Sequence, residues 1–223
     1  MRMYLSSEGL GDYTDELMSL WPDNGRIGVI ANATDGEPPE IREEHVTRQL
    51  VELATLGLTP EEIDLRRYFE SPSNEIERRI GQNYGGLWVP GGNVFVLRQA
   101  MGRSSLDRYA RPLLEGTGLV YAGYSAGSCQ TAPDLHGLEL VDDANEVPPE
   151  YHRVAAIFEG SGLLDKLIVP HFRSPNNGIS PLMEPVVADL RKRRAPHILL
   201  RDGDVVTVRD GKQQILRQSP LPV

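Results

Sequence analysis

Apolar residues in this chain fall into short unbroken runs, set between stretches in which they recur at helical spacing. The runs MRMYLSS at the start, RIGVIANAT at 26–34, GLWVP at 86–90, LVYAGY at 119–124 and LLDKLIVPHF at 163–172 read as strands buried on both faces. RIGVIANAT lies between Asn24-Gly25 and Asp35-Gly36, pairs that punctuate regular structure. A further strand is expected over Glu62 to Tyr68. Helical spacing appears from Asp12 to Leu20, opened by Tyr13 and Thr14, and from Glu40 to Leu56 through Ile41, Val46, Leu50, Val51 and Ala54. Another helix is opened by Ser73-Asn74-Glu75. Val94 to Leu114, apolar at Val94, Leu97, Met101, Leu106, Tyr109 and Leu113, fits one long helix or two short ones around Gly102. Pro181 to Arg194 is a last amphipathic helix with Ser180 as its cap.

The chain closes on HILLRDGDVVTVRDGKQQIL, two strand-like runs around Asp202-Gly203 and a third after Asp210-Gly211, which is a hairpin signal. Strands alternating with helices and ending in a hairpin imply a three-layer α/β sandwich on a mostly parallel sheet. No linker or repeat divides the sequence, so residues 1–223 are expected to form one α/β domain. The longest irregular stretch runs from Gly137 to Gly162.

Composition narrows the partners. At 39% hydrophobic and 25% charged residues the sequence has the balance of a soluble globular protein. Its net charge of −9 and scattered basic residues argue against nucleic acid. The one basic run, Arg191 to Arg194, ends a helical pattern, where cations meet exposed carbonyls. No stretch of 18 apolar residues occurs and the first residues are too short an apolar segment for a signal peptide, so a cytoplasmic protein without membrane contact is expected. The single cysteine, Cys129, cannot bridge internally and reads as packing.

The chemistry gathers on three short segments. Gly123-Tyr124-Ser125-Ala126-Gly127 is a GxSxG pattern after a buried run, the signature of a serine held on a strained strand-to-helix turn. The turn VPGGN at 89–93 also ends a buried run and opens a helix; if the two strands are neighbours, the amides of Gly92 and Ala126 converge as an oxyanion hole. A serine hydroxyl needs a base. Of the five histidines, His45 lies in a charged helix, His152 in a polar loop, His136 close to Asp134 and His197 at the start of the terminal strands. His171 follows the apolar LIVP and stands at a strand's carboxyl end, which favours it as the base. Asp134, Glu139, Asp142, Asp143 and Glu146 lie between serine and histidine as candidate acids. Asp142-Asp143 ends a short apolar run, so either carboxylate can turn inward.

Gly91-Gly92-Asn93 with its apolar helix start, GYSAGS around Ser125, and Pro170-His171-Phe172 together resemble peptidase family S51, the serine peptidases that include dipeptidase E and, more distantly, cyanophycinase. The resemblance implies a class I glutamine amidotransferase-like (flavodoxin-like) fold, with serine where those enzymes carry cysteine. It implies Ser125 as nucleophile, His171 as base and Gly92 with Ala126 as oxyanion donors. The acid is then Asp143, matching an aspartate that follows asparagine in dipeptidase E, with Asp142 the alternative. Gly91, Asn93, Tyr124 and Arg173 are the expected substrate-binding residues, Arg173 standing in for an arginine that dipeptidase E uses toward an N-terminal aspartate. The expected substrate is a short peptide, with no cofactor and no metal. The oligomeric state stays open, with a homodimer as the assembly considered. Two other readings of the same residues are an esterase-type α/β hydrolase and a non-catalytic, amidotransferase-like small-molecule binding protein.

Overall fold

The computed structural model describes residues 1–22, 25–72, 74–152 and 155–219. Asn24 and Ser73, read above as punctuation and as a helix start, lie outside the described residues. In chain order the elements are β1 (Arg2–Ser6), α1 (Thr14–Leu20), β2 (Arg26–Val29), α2 (Pro39–Thr55), β3 (Thr59–Glu62), α3 (Glu75–Asn83), β4 (Gly86–Val89), α4 (Val94–Arg103), α5 (Leu106–Gly116), β5 (Val120–Tyr124), α6 (Ala126–Cys129), β6 (Leu167–Val169), α7 (Met183–Arg193), β7 (His197–Leu199), β8 (Val205–Arg209) and β9 (Lys212–Leu216).

The main sheet has the order β3-β2-β4-β5-β1-β8-β9. Its first five strands are parallel, and β8 and β9 continue it antiparallel beyond β1. Side chains alternate across the sheet with the period of two that a pleated strand imposes. Met3, Leu5, Leu87, Val89 and Tyr121 face one core with α3, α4, α5 and α7; Tyr4, Trp88, Val120, Ala122 and Tyr124 face the other with α1 and α2. Burial on both faces is why these strands are apolar throughout. The result is the three-layer sandwich expected.

Several elements differ from the sequence pattern, each for a local reason. The strand expected over Glu62 to Tyr68 lies earlier, at Thr59–Glu62, and Leu65–Tyr68 is a 3₁₀ turn whose start is capped by Asp64 accepting from the Arg66 amide. As a sheet edge, β3 can carry Pro60 and no apolar run, which hid it. Val94 to Leu114 divides into two helices, but the break is at Ser105, in the left-handed region at φ 64°, while Gly102 stays inside α4. Ser180 does not cap the last helix: it opens a 3₁₀ turn and its hydroxyl accepts from the Ser174 amide at 2.9 Å.

The terminal hairpin is β8–β9, closed at Asp210-Gly211, where both residues have positive φ as a primed turn requires. The His197 run pairs parallel with β6 in a separate two-stranded sheet, so Asp202-Gly203 is a connection between sheets and not a hairpin turn. That difference places Asp202 beside the carboxyl ends of the central strands.

Candidate active site

Serine 125 follows the last residue of β5 and precedes α6, with φ 49° and ψ −118°. A side chain rarely adopts this backbone, and the surroundings over-determine it. The Tyr121 hydroxyl donates to the Gly127 carbonyl at 2.7 Å. The Ser128 hydroxyl sits 2.9 Å from the Ser6 carbonyl and 3.0 Å from that of Gly123, which ties the turn to β1. Gly127 passes so close to β4 that an added Cβ would overlap the Val89 carbonyl oxygen. The small residues of the pattern thus let two backbones meet while the serine is turned outward.

The imidazole of His171 lies across from it. His171 follows β6 and Pro170, is 2% exposed, and has a left-handed φ of 57°. Its amide donates to the Ser7 hydroxyl at 2.8 Å, and the next amide, of Phe172, donates to the Leu200 carbonyl at 2.9 Å. Held on both sides, the ring places Nε2 3.1 Å from Ser125 Oγ and Nδ1 2.8 Å from Asp202 Oδ1. Asp202 is itself fixed: the Ser7 hydroxyl donates to Oδ1 at 2.9 Å, Asn177 Nδ2 donates to Oδ2 at 2.7 Å, and the Asp202 amide donates to Ser174 Oγ at 2.8 Å. Burial pushes the Asp202 carboxyl up, but the hydrogen bonds from His171, Asn177 and Ser7 outweigh it and hold the group below its ordinary range. Glu8 adds a second carboxylate, 3.7 Å from Nδ1, and its own acidity is weakened by desolvation.

The acid expected between serine and histidine is therefore not where the imidazole finds one. Asp142 Oδ2 instead accepts the Val94 amide at 2.8 Å, and the Asp143 carboxylate accepts the Asn145 amide at 2.9 Å. Burial raises Asp142 to about 6. The loop carrying both is fastened to the start of α4 and, among the described residues, the partners of Nδ1 are Asp202, Asn177 and Glu8, the β7–β8 connection bringing Asp202 to it. Asp202 escaped the sequence reading because Asp-Gly after an apolar run is also a turn signal, and because it follows the histidine in the chain. Ser7, Glu8 and Asn177 carried no signal of their own.

A cavity of about 310 Å³ opens beside Ser125, lined in part by Gly92, Asn93, Ala126, Cys129 and His171. Its size is at the low end of the ~300–1,000 Å³ of small-ligand sites. β4 and β5 are neighbours, as the two-turn argument required, and both expected oxyanion amides belong to residues of the cavity wall. Among the described residues neither amide donates to another backbone group. Gly92 holds φ +140° with its α-carbon against the Ala33 carbonyl, a position a side chain would block.

Of the expected substrate-binding residues, Asn93 lines the cavity but is also the cap of α4, accepting from Phe95 and Val96. Gly91 packs under Ser125, an added Cβ there falling 2.9 Å from the serine Cβ. Tyr124 points into the opposite core, beside Trp88 and with its hydroxyl 3.3 Å from Gln49 Nε2. Arg173 is paired with Glu184 at 2.7 Å and is absent from the cavity wall. Cys129 reaches the wall from a buried position, its thiol pushed up by burial, in keeping with packing. Among the described residues, no helix is long and apolar enough to cross a membrane.

The sequence profile described as peptidase family S51 matches residues 17–216. The chain is 28% identical over 130 residues to an uncharacterized peptidase, Lin0382, of Listeria innocua, a match covering 54% of this chain and 57% of the relative. It is 25% identical over 166 residues to the uncharacterized peptidase Lmo0363 of Listeria monocytogenes, covering 70% and 74%. In fold it is similar to the crystal structure of a candidate peptidase E protein from Listeria monocytogenes EGD-e, with a TM-score of 0.72, 20% identity and 98% of each chain covered. A peptidase from an acI-B1 actinobacterium gives a TM-score of 0.64 at 16% identity, covering 96% of this chain and 86% of that one.

Proposed function

The chain belongs to peptidase family S51, and from that premise we propose that it is a serine peptidase that hydrolyses short peptides through Ser125, His171 and Asp202. The observation that carries the reading is the unbroken hydrogen-bonded relay, 3.1 Å from hydroxyl to imidazole and 2.8 Å from imidazole to carboxylate. A site that only binds a ligand has no need of it, and the relay lies within the geometry that nucleophilic catalysis requires.

In this mechanism His171 Nε2 takes the proton of Ser125 Oγ as the oxygen attacks the peptide carbonyl. The oxyanion that forms is met by the amides of Gly92 and Ala126, donors worth about 2.7–4 kcal/mol each in the transition state where such sites have been dissected. Asp202 keeps the proton on Nδ1, so that Nε2 is free to accept, and stabilises the imidazolium. The imidazolium then protonates the leaving amine, and an acyl-enzyme remains on Ser125. Water, deprotonated by the same nitrogen, releases the acid and restores the hydroxyl. The small cavity suits dipeptides and tripeptides better than a folded polypeptide.

A fluorophosphonate probe tests the nucleophile. Wild-type protein is expected to be labelled at Ser125, with no labelling of Ser125→Ala; an unlabelled wild type, or equal labelling of the two, ends the proposal.

A further inference from the structure

Among the described residues, the cavity beside Ser125 is lined by four carboxylate residues, Glu37, Asp142, Asp143 and Glu146, and by no lysine or arginine. From this wall we infer the substrate class of the proposed peptidase: short peptides with a cationic group, ammonium or guanidinium, beside the bond to be cleaved, in preference to aspartyl peptides. The inference rests on the reading of Ser125 as nucleophile and deepens it.

Acidic residues at a cleft are common, so what matters is that three of these, Asp142, Asp143 and Glu146, are built into the catalytic frame. Glu146 Oε2 accepts from Asn93 Nδ2 at 2.7 Å, and its other oxygen fills the space that a Cβ on Gly36 would need. The same Asn93 nitrogen donates to the Asp143 carbonyl at 2.9 Å. Asp142 is fixed on the Val94 amide. One turn, Gly92 to Val94, therefore carries an expected oxyanion donor and anchors the acidic loop, so the distance from the reacting carbonyl to the negative wall is set by a single rigid unit.

Among the described residues, no ion pair joins a lysine or arginine to Glu37, Asp142, Asp143 or Glu146, although Glu37 also borders the cavity that holds Arg42 and Arg66. Arg173 is engaged by Glu184, and Arg42 and Arg66 are held by Asp35, Glu62, Asp64 and Glu150 around a different cavity. Burial first, and then the nearby charge of Glu146, disfavour the ionised form of Asp142, against the Val94 amide and His171, which favour it. A substrate cation relieves that repulsion, and a substrate carboxylate adds to it. The net charge of −9 draws cations toward the protein in the same sense.

Diphenyl phosphonate analogues of lysine, norleucine and aspartate, each with a free or an acetylated amine, read the preference directly. Attack by Ser125 Oγ forms an O–P bond, expels phenoxide and leaves the serine proton on His171, and the rate is followed by mass at Ser125. The expected result is that analogues with at least one cation react about tenfold or more faster than the acetylated norleucine compound, and the acetylated aspartate analogue more slowly still, tenfold corresponding to about 1.4 kcal/mol. Acetyl-lysine against free norleucine tells whether side chain or amino terminus supplies the charge. In Glu146→Gln, and more so with Asp143→Asn added, the ratio of cationic to neutral rates is expected to collapse toward unity; the glutamine keeps an oxygen for Asn93, and melting curves confirm folding. Equal rates for cationic and neutral analogues, fastest reaction with aspartate, or a ratio untouched by both variants overturns the inference. If Ser125 reacts with fluorophosphonate yet shows no cation preference, only the substrate class is lost; if it reacts with neither probe, the nucleophile is lost as well.

Discussion

Replacing Asp202 by asparagine changes one atom type in the site and isolates the acid. The substitution keeps the volume and leaves an oxygen for the Asn177 donor, 2.7 Å from Oδ2, while the new NH₂ takes the place of Oδ1, which accepts from the Ser7 hydroxyl at 2.9 Å. It removes the charge facing Nδ1 at 2.8 Å and, by presenting an N–H there, favours the tautomer that carries its proton on Nε2, where the serine needs an acceptor. In the serine-protease template the equivalent change lowers kcat by about 10⁴, or about 5.5 kcal/mol at 1.36 kcal/mol per decade. Here two features soften it. The Asp202 side chain is 27% exposed, so water screens part of its charge, and Glu8 keeps a second carboxylate 3.7 Å from the same nitrogen. The expected loss is about 10²–10⁴ in the fluorophosphonate labelling rate and in kcat/KM for a cleaved peptide, with a further loss when Glu8→Gln is added. A melting curve on each variant separates lost chemistry from lost folding. The assignment is refuted if Asp202→Asn stays within about threefold of wild type while Asp143→Asn takes the rate down by orders of magnitude.

Ser125→Gly removes the nucleophile and relieves a backbone strain of roughly 1–3 kcal/mol, partly offset by about 0.5–1 kcal/mol of glycine entropy. A labelling-dead protein melting a few degrees higher is expected, and a lower melting temperature contradicts the strain. Gly127→Ala drives a methyl into the Val89 carbonyl, two backbones that cannot both yield; a loss of about 3 kcal/mol or more in urea unfolding is expected, and wild-type stability argues against the close approach. Asp142 is raised from 3.8 to about 6, so the folded chain holds its proton more tightly than the unfolded chain. Its contribution is fully present below the unfolded value and is lost as pH rises through about 6. Asp142→Asn, which keeps an oxygen for the Val94 amide, is therefore expected to exceed wild type by about 1–3 kcal/mol at pH 7.5 and to lose that advantage near pH 4; a pH-independent difference refutes the shift.

Alternation of buried runs with helical spacing was enough to specify the layered α/β architecture, because strands covered on both faces must be apolar throughout and each crossover must supply a helix. GxSxG and the Gly91-Gly92 turn were legible for a related reason: close backbone approach, as where Gly127 passes the Val89 carbonyl, and unusual dihedrals admit few residue types, so the chain writes them in glycine. His171 could be picked out by its place after an apolar strand. The partner of its other nitrogen could not, since a carboxylate on a connection has no periodicity, and Asp202-Gly203 reads equally as a turn. Which acid meets the imidazole depended on β7 leaving the terminal strands to pair with β6, a pairing between segments about thirty residues apart that no local pattern records. The same holds for the acidic wall: Asp142, Asp143 and Glu146 were legible only as candidate acids and Glu37 not at all, and it is the packing of Asn93 against the 142–146 loop that sets that loop beside the cavity Glu37 also lines.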